Sequence, residues 1–165
     1  MAQSDGMAIK AFSHIGICVT DLDRSLRFYC EGLGFEHVRS GGVGKEFDVV
    51  MEMKGVDLQT RFITRDGAQI ELLHFNSPGQ TGEPVRRPMN QLGFTHMCLH
   101  VTDLEAVAKR IEQYGGSVHW ETYLALPDRP DRPASWVYCS DPDGVRIELI
   151  ERVADRHAAL AAPAS

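Results

Sequence analysis

The 165-residue sequence lacks any apolar run near the ~20 residues that a membrane-spanning helix needs. It also lacks the charged and then apolar opening of a secretory signal, so neither a membrane nor an exported protein is expected. Positive charge is scarce: 17 Lys and Arg stand against 23 Asp and Glu, a net charge of −6, which argues against a nucleic-acid-binding face. The four cysteines, Cys18, Cys30, Cys98 and Cys139, have no CxxC spacing and fall inside predicted elements rather than in a loop framework. They read as reduced thiols of a cytoplasmic protein. What remains is an ordinary globular composition, 43% hydrophobic and 24% charged. It is compatible with one domain or with two half-sized units sharing a core.

What the sequence does contain is a repeat. Gly93-Phe94-Thr95-His96-Met97-Cys98-Leu99-His100-Val101-Thr102-Asp103-Leu104 repeats the stretch from His14 to Leu22 almost position for position. Placing His96 on His14 also places Val101-Thr102-Asp103-Leu104 on Val19-Thr20-Asp21-Leu22, and Gly116 on Gly34. A second echo sets Asp66-Gly67-Ala68-Gln69-Ile70-Glu71-Leu72 against Asp143-Gly144-Val145-Arg146-Ile147-Glu148-Leu149. Internal repetition of this kind dictates architecture. It divides the chain into a first unit at 11–76, a linker rich in Asn, Ser, Gly and Pro at 77–92, a second unit at 93–152 and a tail at 153–165.

Periodicity gives each unit the same plan. Ile15, Ile17 and Val19 alternate with His14, Gly16 and Cys18 in an opening strand. Asp21 is placed to cap a helix whose apolar stripe is Leu22, Leu26, Tyr29 and Leu33. A short strand at 35–38 follows, then a loop at 40–44 with three glycines, an ambiguous stretch at 47–53 and a hairpin of 58–64 with 68–75. In the second unit the strand at 94–101, the helix at 103–114, a strand near 117–122 and a closing hairpin of 135–139 with 144–151 repeat the pattern. A proline-punctuated loop spans 126–133. The expected fold is α+β: two tandem βαβββ units forming curled mixed sheets around a concave metal-binding cleft.

Strand alternation then selects the site. The β-branched and aliphatic residues must face the helices, which leaves His14, Glu71, His96 and Glu148 on the opposite, concave side. Two imidazoles and two carboxylates suit one divalent ion such as Zn, Ni, Co, Mn or Fe, and the two carboxylates neutralise its charge. Two matched His–Glu pairs in a duplicated chain are harder to assign to chance than any lone histidine. Whether the four meet inside one chain or between two stays open from the sequence.

These motifs resemble the vicinal oxygen chelate superfamily, which includes glyoxalase I, extradiol dioxygenases and bleomycin resistance proteins. The resemblance covers about residues 11–152 and is carried by the four ligand positions. It also rests on Asp21-Leu22-Asp23-Arg24-Ser25-Leu26-Arg27-Phe28-Tyr29 and on Asp141-Pro142-Asp143-Gly144-Val145-Arg146-Ile147-Glu148-Leu149-Ile150-Glu151. It implies His14, Glu71, His96 and Glu148 as metal ligands and points to a glyoxalase-like lyase or isomerase. Such an enzyme moves a proton on a small substrate chelated through two neighbouring oxygens, with Glu148 as the preferred base, alone or together with Glu71. A dioxygenase using Fe(II), or an antibiotic-binding protein of the bleomycin-resistance kind, is the alternative.

One departure matters. Bacterial glutathione-dependent members commonly carry an arginine four residues after the first histidine, and this chain has Cys18 there. Its counterpart His100, with Cys18 itself, Trp136 on the closing hairpin and Arg129 and Arg132 in the proline-rich loop, completes the set of expected substrate contacts. Tyr138 shares a strand face with Trp136. His37, His74, His119 and His157 have no repeat partner and receive no role. Open strand edges and partly apolar faces make a homodimer the expected assembly.

Overall fold

Equivalent aspartates start both helices of this computed structural model, which describes residues 8–130 and 133–154. The Asp21 carboxylate accepts the Arg24 backbone N–H at 2.9 Å, and Asp103 accepts that of Ala106 at 2.9 Å, each satisfying a donor that the first helical turn leaves unpaired. Helix α1 (Leu22–Leu26) widens into a π-helical segment (Arg27–Gly32), and this winding buries Phe28 and Tyr29 side by side. Gly34, at φ +71°, ends it, in a region that disfavours any residue with a Cβ. Helix α2 (Leu104–Gln113) buries Leu104, Ala108 and Ile111, with Val107 and Tyr114 partly covered beside them.

The first unit contributes β1 (Ile15–Cys18), β2 (Glu36–Val43), β3 (Asp57–Arg65) and β4 (Ala68–Ser77). The second contributes β5 (Met97–Val101), β6 (Ser117–Leu126), β7 (Ala134–Ser140) and β8 (Arg146–Arg152). Each sheet has four strands, ordered β1-β4-β3-β2 and β5-β8-β7-β6. The first strand of each runs parallel to the last and the remaining pairs are antiparallel, so both sheets are mixed and the tandem βαβββ expectation is met. β1 and β5 each pair on one side only.

Three boundaries differ from the sequence reading. The glycine-containing stretch at 40–43 is not a loop but the end of β2. Gly42 lies so close to β3 that a Cβ would sit 2.6 Å from the Leu58 carbonyl oxygen, so glycine here serves close backbone approach. β6 runs on to Leu126, with an irregularity between His119 and Leu124. The stretch at 45–53 is a short 3-10 turn (Lys45–Phe47) followed by further turns. The β3–β4 connection is the tight Asp66-Gly67 turn, with φ of 50° and 82°, as a two-residue hairpin demands.

The helical sides of both sheets meet in one core. Ile17, Val19, Phe28, Tyr29 and Leu72 from the first unit pack in one cluster with Leu104, Ile111, Val137, Ile147 and Leu149 from the second. Each such side chain contributes about 1.5–3 kcal/mol on burial. Polar ties cross the same boundary. The Tyr29 hydroxyl donates to Asp141 Oδ2 at 2.8 Å, and the Thr20 hydroxyl donates to Asp143 Oδ1 at 2.6 Å. Burial pushes the Asp141 carboxyl above its usual pKa. A smaller cluster of Val56, Leu58 and Phe75, with Met51 and Leu73 against it, covers the far end of the first sheet's other face. Asp48 fixes that covering segment by accepting the Gly55 and Val56 N–H groups, both at 2.9 Å. Among the described residues no helix is long and apolar enough to cross a membrane.

Candidate metal centre

The sheet faces turned away from the helices carry the four residues singled out above, in two matching pairs. His14 Nε2 lies 3.2 Å from Glu71 Oε2, and His96 Nε2 lies 3.5 Å from Glu148 Oε2. Both glutamates are mostly covered, at 18% side-chain exposure. The Nδ1 of each ring meets the hydroxyl of the preceding residue: Ser13 Oγ at 2.8 Å and Thr95 Oγ1 at 2.9 Å. With Nδ1–H donated to the hydroxyl, Nε2 presents its lone pair, the arrangement that orients a ligating imidazole. Ser13 and Thr95 went unnoticed in the sequence reading, although a hydroxyl residue precedes the histidine in both copies.

The spacing fits a shared cation. Donors bonded at about 2.1 Å stand about 3.0 Å apart at a right angle and about 3.4 Å apart at a tetrahedral angle, and both observed separations lie close to that interval. Among the described residues no three of His, Cys, Asp and Glu converge to hold an ion. Because the units pack through their helical sides, each pair stands on its own outer face, so one chain presents two half-sets.

Register shows what surrounds each glutamate. Across the first sheet Arg39, Phe62, Glu71 and Gly16 lie opposite one another from β2 to β1. The same row in the second sheet reads His119, Tyr138, Glu148 and Cys98. Each aromatic ring packs edge-on against its histidine: His14 on Phe62 at 5.2 Å and His96 on Tyr138 at 5.7 Å between centroids. The neighbours differ. The Arg39 guanidinium lies 3.4 Å above the Phe62 ring, whereas the Tyr138 hydroxyl donates to Glu148 Oε1 at 3.1 Å. Burial, then the neighbouring Glu148, raises the Cys98 thiol pKa to about 11, so it stays protonated at neutral pH.

The other expected contacts lie around this face. Trp136 is half-buried on β7, two residues from Tyr138 and opposite Leu124 and Ile150. Cys18 and His100 are exposed on the edge strands. Cys18 lines a cavity of about 500 Å³ with Thr95, Asp143 and Arg146. His100 and Cys98 line another of about 470 Å³ with Arg65 and Arg110. Arg129 is exposed in the loop after β6, and Arg132 lies outside the described residues. Three histidines left without a role have structural partners, His37 through Ser40 Oγ at 3.2 Å. The Gln80 amide meets His74 Nδ1 at 2.7 Å and donates to the Val19 carbonyl at 3.1 Å, tying the linker down. His119 Nε2 meets Ser140 Oγ at 3.1 Å.

A fold of two βαβββ units with a repeated His–Glu pair defines a class, and comparison with known proteins agrees. The model of the Glyoxalase/Bleomycin resistance protein/Dioxygenase superfamily matches residues 11–149. The chain belongs to that superfamily. A probable lactoylglutathione lyase from Synechocystis is 31% identical, over 84% of this chain and 92% of its own length. A 2-epi-5-epi-valiolone epimerase from Actinomyces is 25% identical, over 85% of this chain and 78% of its own. The crystal structure of a glyoxalase family protein from Bacillus cereus shares the fold. Its TM-score is 0.72 at 21% identity, covering 92% of this chain and 99% of that one.

Proposed function

We propose that the chain is a metal-dependent lyase or isomerase of the glyoxalase type, moving a proton on a small substrate that offers two neighbouring oxygens. The observation that carries this reading is the twin His–Glu pair, with each Nε2 facing a carboxylate and each Nδ1 held by a hydroxyl. His14, Glu71, His96 and Glu148 would hold one divalent ion. When bound, it would polarise the substrate oxygens and acidify the adjacent C–H. A glutamate of the quartet takes that proton and returns it at the neighbouring carbon or on the opposite face. His100, Cys18, Trp136, Arg129 and Arg132 are the candidates for contacting the rest of the substrate.

Four ligands from one chain do not meet, so the reading includes a second copy. A two-fold pair would set the His14–Glu71 face of one chain against the His96–Glu148 face of its partner, twice. The unpaired edges of β1 and β5 support this. So do the large apolar residues exposed just before them: Phe12 at 79%, Leu92 at 95% and Phe94 at 47%.

A relative named as an epimerase and another named as a lyase both fit proton transfer next to a carbonyl, and Cys18 weighs against a glutathione carrier. The test is metal analysis of the purified chain, then a turnover screen of hydroxyketones and thiol hemithioacetals with Ni, Co, Zn, Mn and Fe in parallel. About one ion per quartet and metal-dependent C–H exchange are expected. A chain that takes up no divalent ion would refute the reading, and oxygen consumption with Fe(II) would replace it by dioxygenase chemistry.

A further inference from the structure

The two halves of the proposed quartet differ in how firmly they hold their carboxylates. Glu148 is engaged at both oxygens: Oε2 faces His96 Nε2 at 3.5 Å, and Oε1 accepts the Tyr138 hydroxyl at 3.1 Å. Tyr138 is itself fixed on the inner strand β7. Its backbone N–H donates to Thr122 Oγ1 at 2.9 Å, and the Arg146 guanidinium lies 5.2 Å over its ring. In the first unit the residue at the same register position is Phe62, which has no hydroxyl. The residue on the other flank is Gly16, where the second unit has Cys98. Glu71 therefore meets His14 through Oε2 at 3.2 Å, and among the described residues no side chain donates to its other oxygen.

We propose that Tyr138 is a positioning residue that pins Glu148 as the fixed carboxylate of the quartet and leaves Glu71 as the one that moves. In that arrangement Glu71 accepts the substrate's C–H proton. The C–H electron pair becomes the new C=C bond, and the carbonyl π pair moves onto oxygen. The same carboxylic acid then returns the proton to carbon as the electrons move back, so no further reactant is consumed. This reverses the preference for Glu148 as base drawn from the sequence, and it rests on the metal-dependent reading above. The physical reason is preorganisation: a ligand already oriented by a neighbouring donor binds metal with less reorganisation than one free to swing.

The experiment is a competitive Ni²⁺ titration of the full chain and of Tyr138→Phe, Glu148→Gln, Glu71→Gln and Phe62→Tyr, with thermal melts of each metal-free protein. Removing the hydroxyl should weaken Ni²⁺ binding about tenfold or more, the usual effect of losing a partner behind a ligand, without moving the metal-free melting temperature. Glu148→Gln should weaken binding more than Glu71→Gln. Phe62→Tyr, which offers Glu71 the missing hydroxyl, should tighten it. The visible spectrum of the Co²⁺-loaded protein should change in Tyr138→Phe, as a shift in ligand geometry requires. Unchanged Ni²⁺ affinity in Tyr138→Phe, or equal losses in the two glutamine variants, would overturn the proposal and leave the metal reading standing. A wild-type chain that binds neither Ni²⁺ nor Co²⁺ would overturn both.

Discussion

The sheet faces that carry the His–Glu pairs in the two units are built alike and lined differently. Both place a histidine on the opening strand beside a glutamate on the closing strand, with an aromatic ring edge-on to the imidazole. Around that shared kernel the first unit is apolar and cationic, with Phe62 under Arg39 and Gly16 where the second unit has Cys98. The second is polar, with Tyr138 bonded to Glu148 and Cys98 and His119 in the same row. The difference shows which parts of a duplicated unit are constrained together. The His–Glu pairs and the hydroxyls beside them recur as a set, as the proposed shared cation would require. The flanking positions differ, Gly16 and Phe62 against Cys98 and Tyr138, and under the proposal above that lets one half anchor while the other moves.

The comparison breaks most sharply at the histidines. His14→Ala and His96→Ala should each abolish stoichiometric divalent-ion binding, since each removes a quarter of the ligand set. Metal analysis after dialysis checks this, and unequal losses would show that one pair binds without the other. A smaller effect separates Cys18 from its counterpart His100. A thiol at that strand position offers one weak donor and no charge, whereas an arginine offers two parallel charge-assisted bonds to a carboxylate. With the methylglyoxal–glutathione hemithioacetal, kcat/KM of the native chain should therefore stay below about 10⁶ M⁻¹s⁻¹, inside the range of efficient enzymes. Cys18→Arg should raise it about ten- to a hundredfold, on the scale of a hydrogen bond to a charged group. A native value above that line would reinstate glutathione as the carrier.

The helical sides differ as well, and here the expected effects are on stability. Tyr29 and its repeat counterpart Ile111 are both fully buried, but only Tyr29 carries a polar group, donated to Asp141. Tyr29→Phe leaves Asp141 Oδ2 without that donor and should cost about 1.5–3 kcal/mol in denaturant unfolding. Ile111→Val removes one methylene and should cost about 0.5–1.5 kcal/mol. A Tyr29→Phe cost near zero would mean that the hydroxyl adds nothing across the unit boundary.

Much of this was legible in the residues. The repeat gave the order of elements, and the alternation of Ile15, Ile17 and Val19 with His14, Gly16 and Cys18 placed the histidine opposite the helix. Asp21 marked a helix start because its carboxylate satisfies a backbone donor wherever the chain turns helical. The glycines at 41 and 42 misled, since their tolerance of a close neighbouring strand leaves the same trace as a loop. The hydroxyl of Tyr138 on Glu148 was hidden for another reason. It depends on which β7 residue lies opposite Glu148, and cross-strand register is a tertiary property. The separation of the two pairs was likewise out of reach, because it follows from the units burying their helical sides against each other.

That separation makes the sharing of one ion between two copies the claim most in need of a direct test. Co-expression of a His14→Ala chain and a His96→Ala chain, each with its own affinity tag, allows the mixed pair to be isolated. In a two-fold pair with shared sites, one site then carries both defects and the other carries none. Sharing predicts that the mixed pair regains tight binding of about one divalent ion, while each variant alone binds none. A mixed pair that stays metal-free, or a native chain that binds its ion as a monomer, would contradict it.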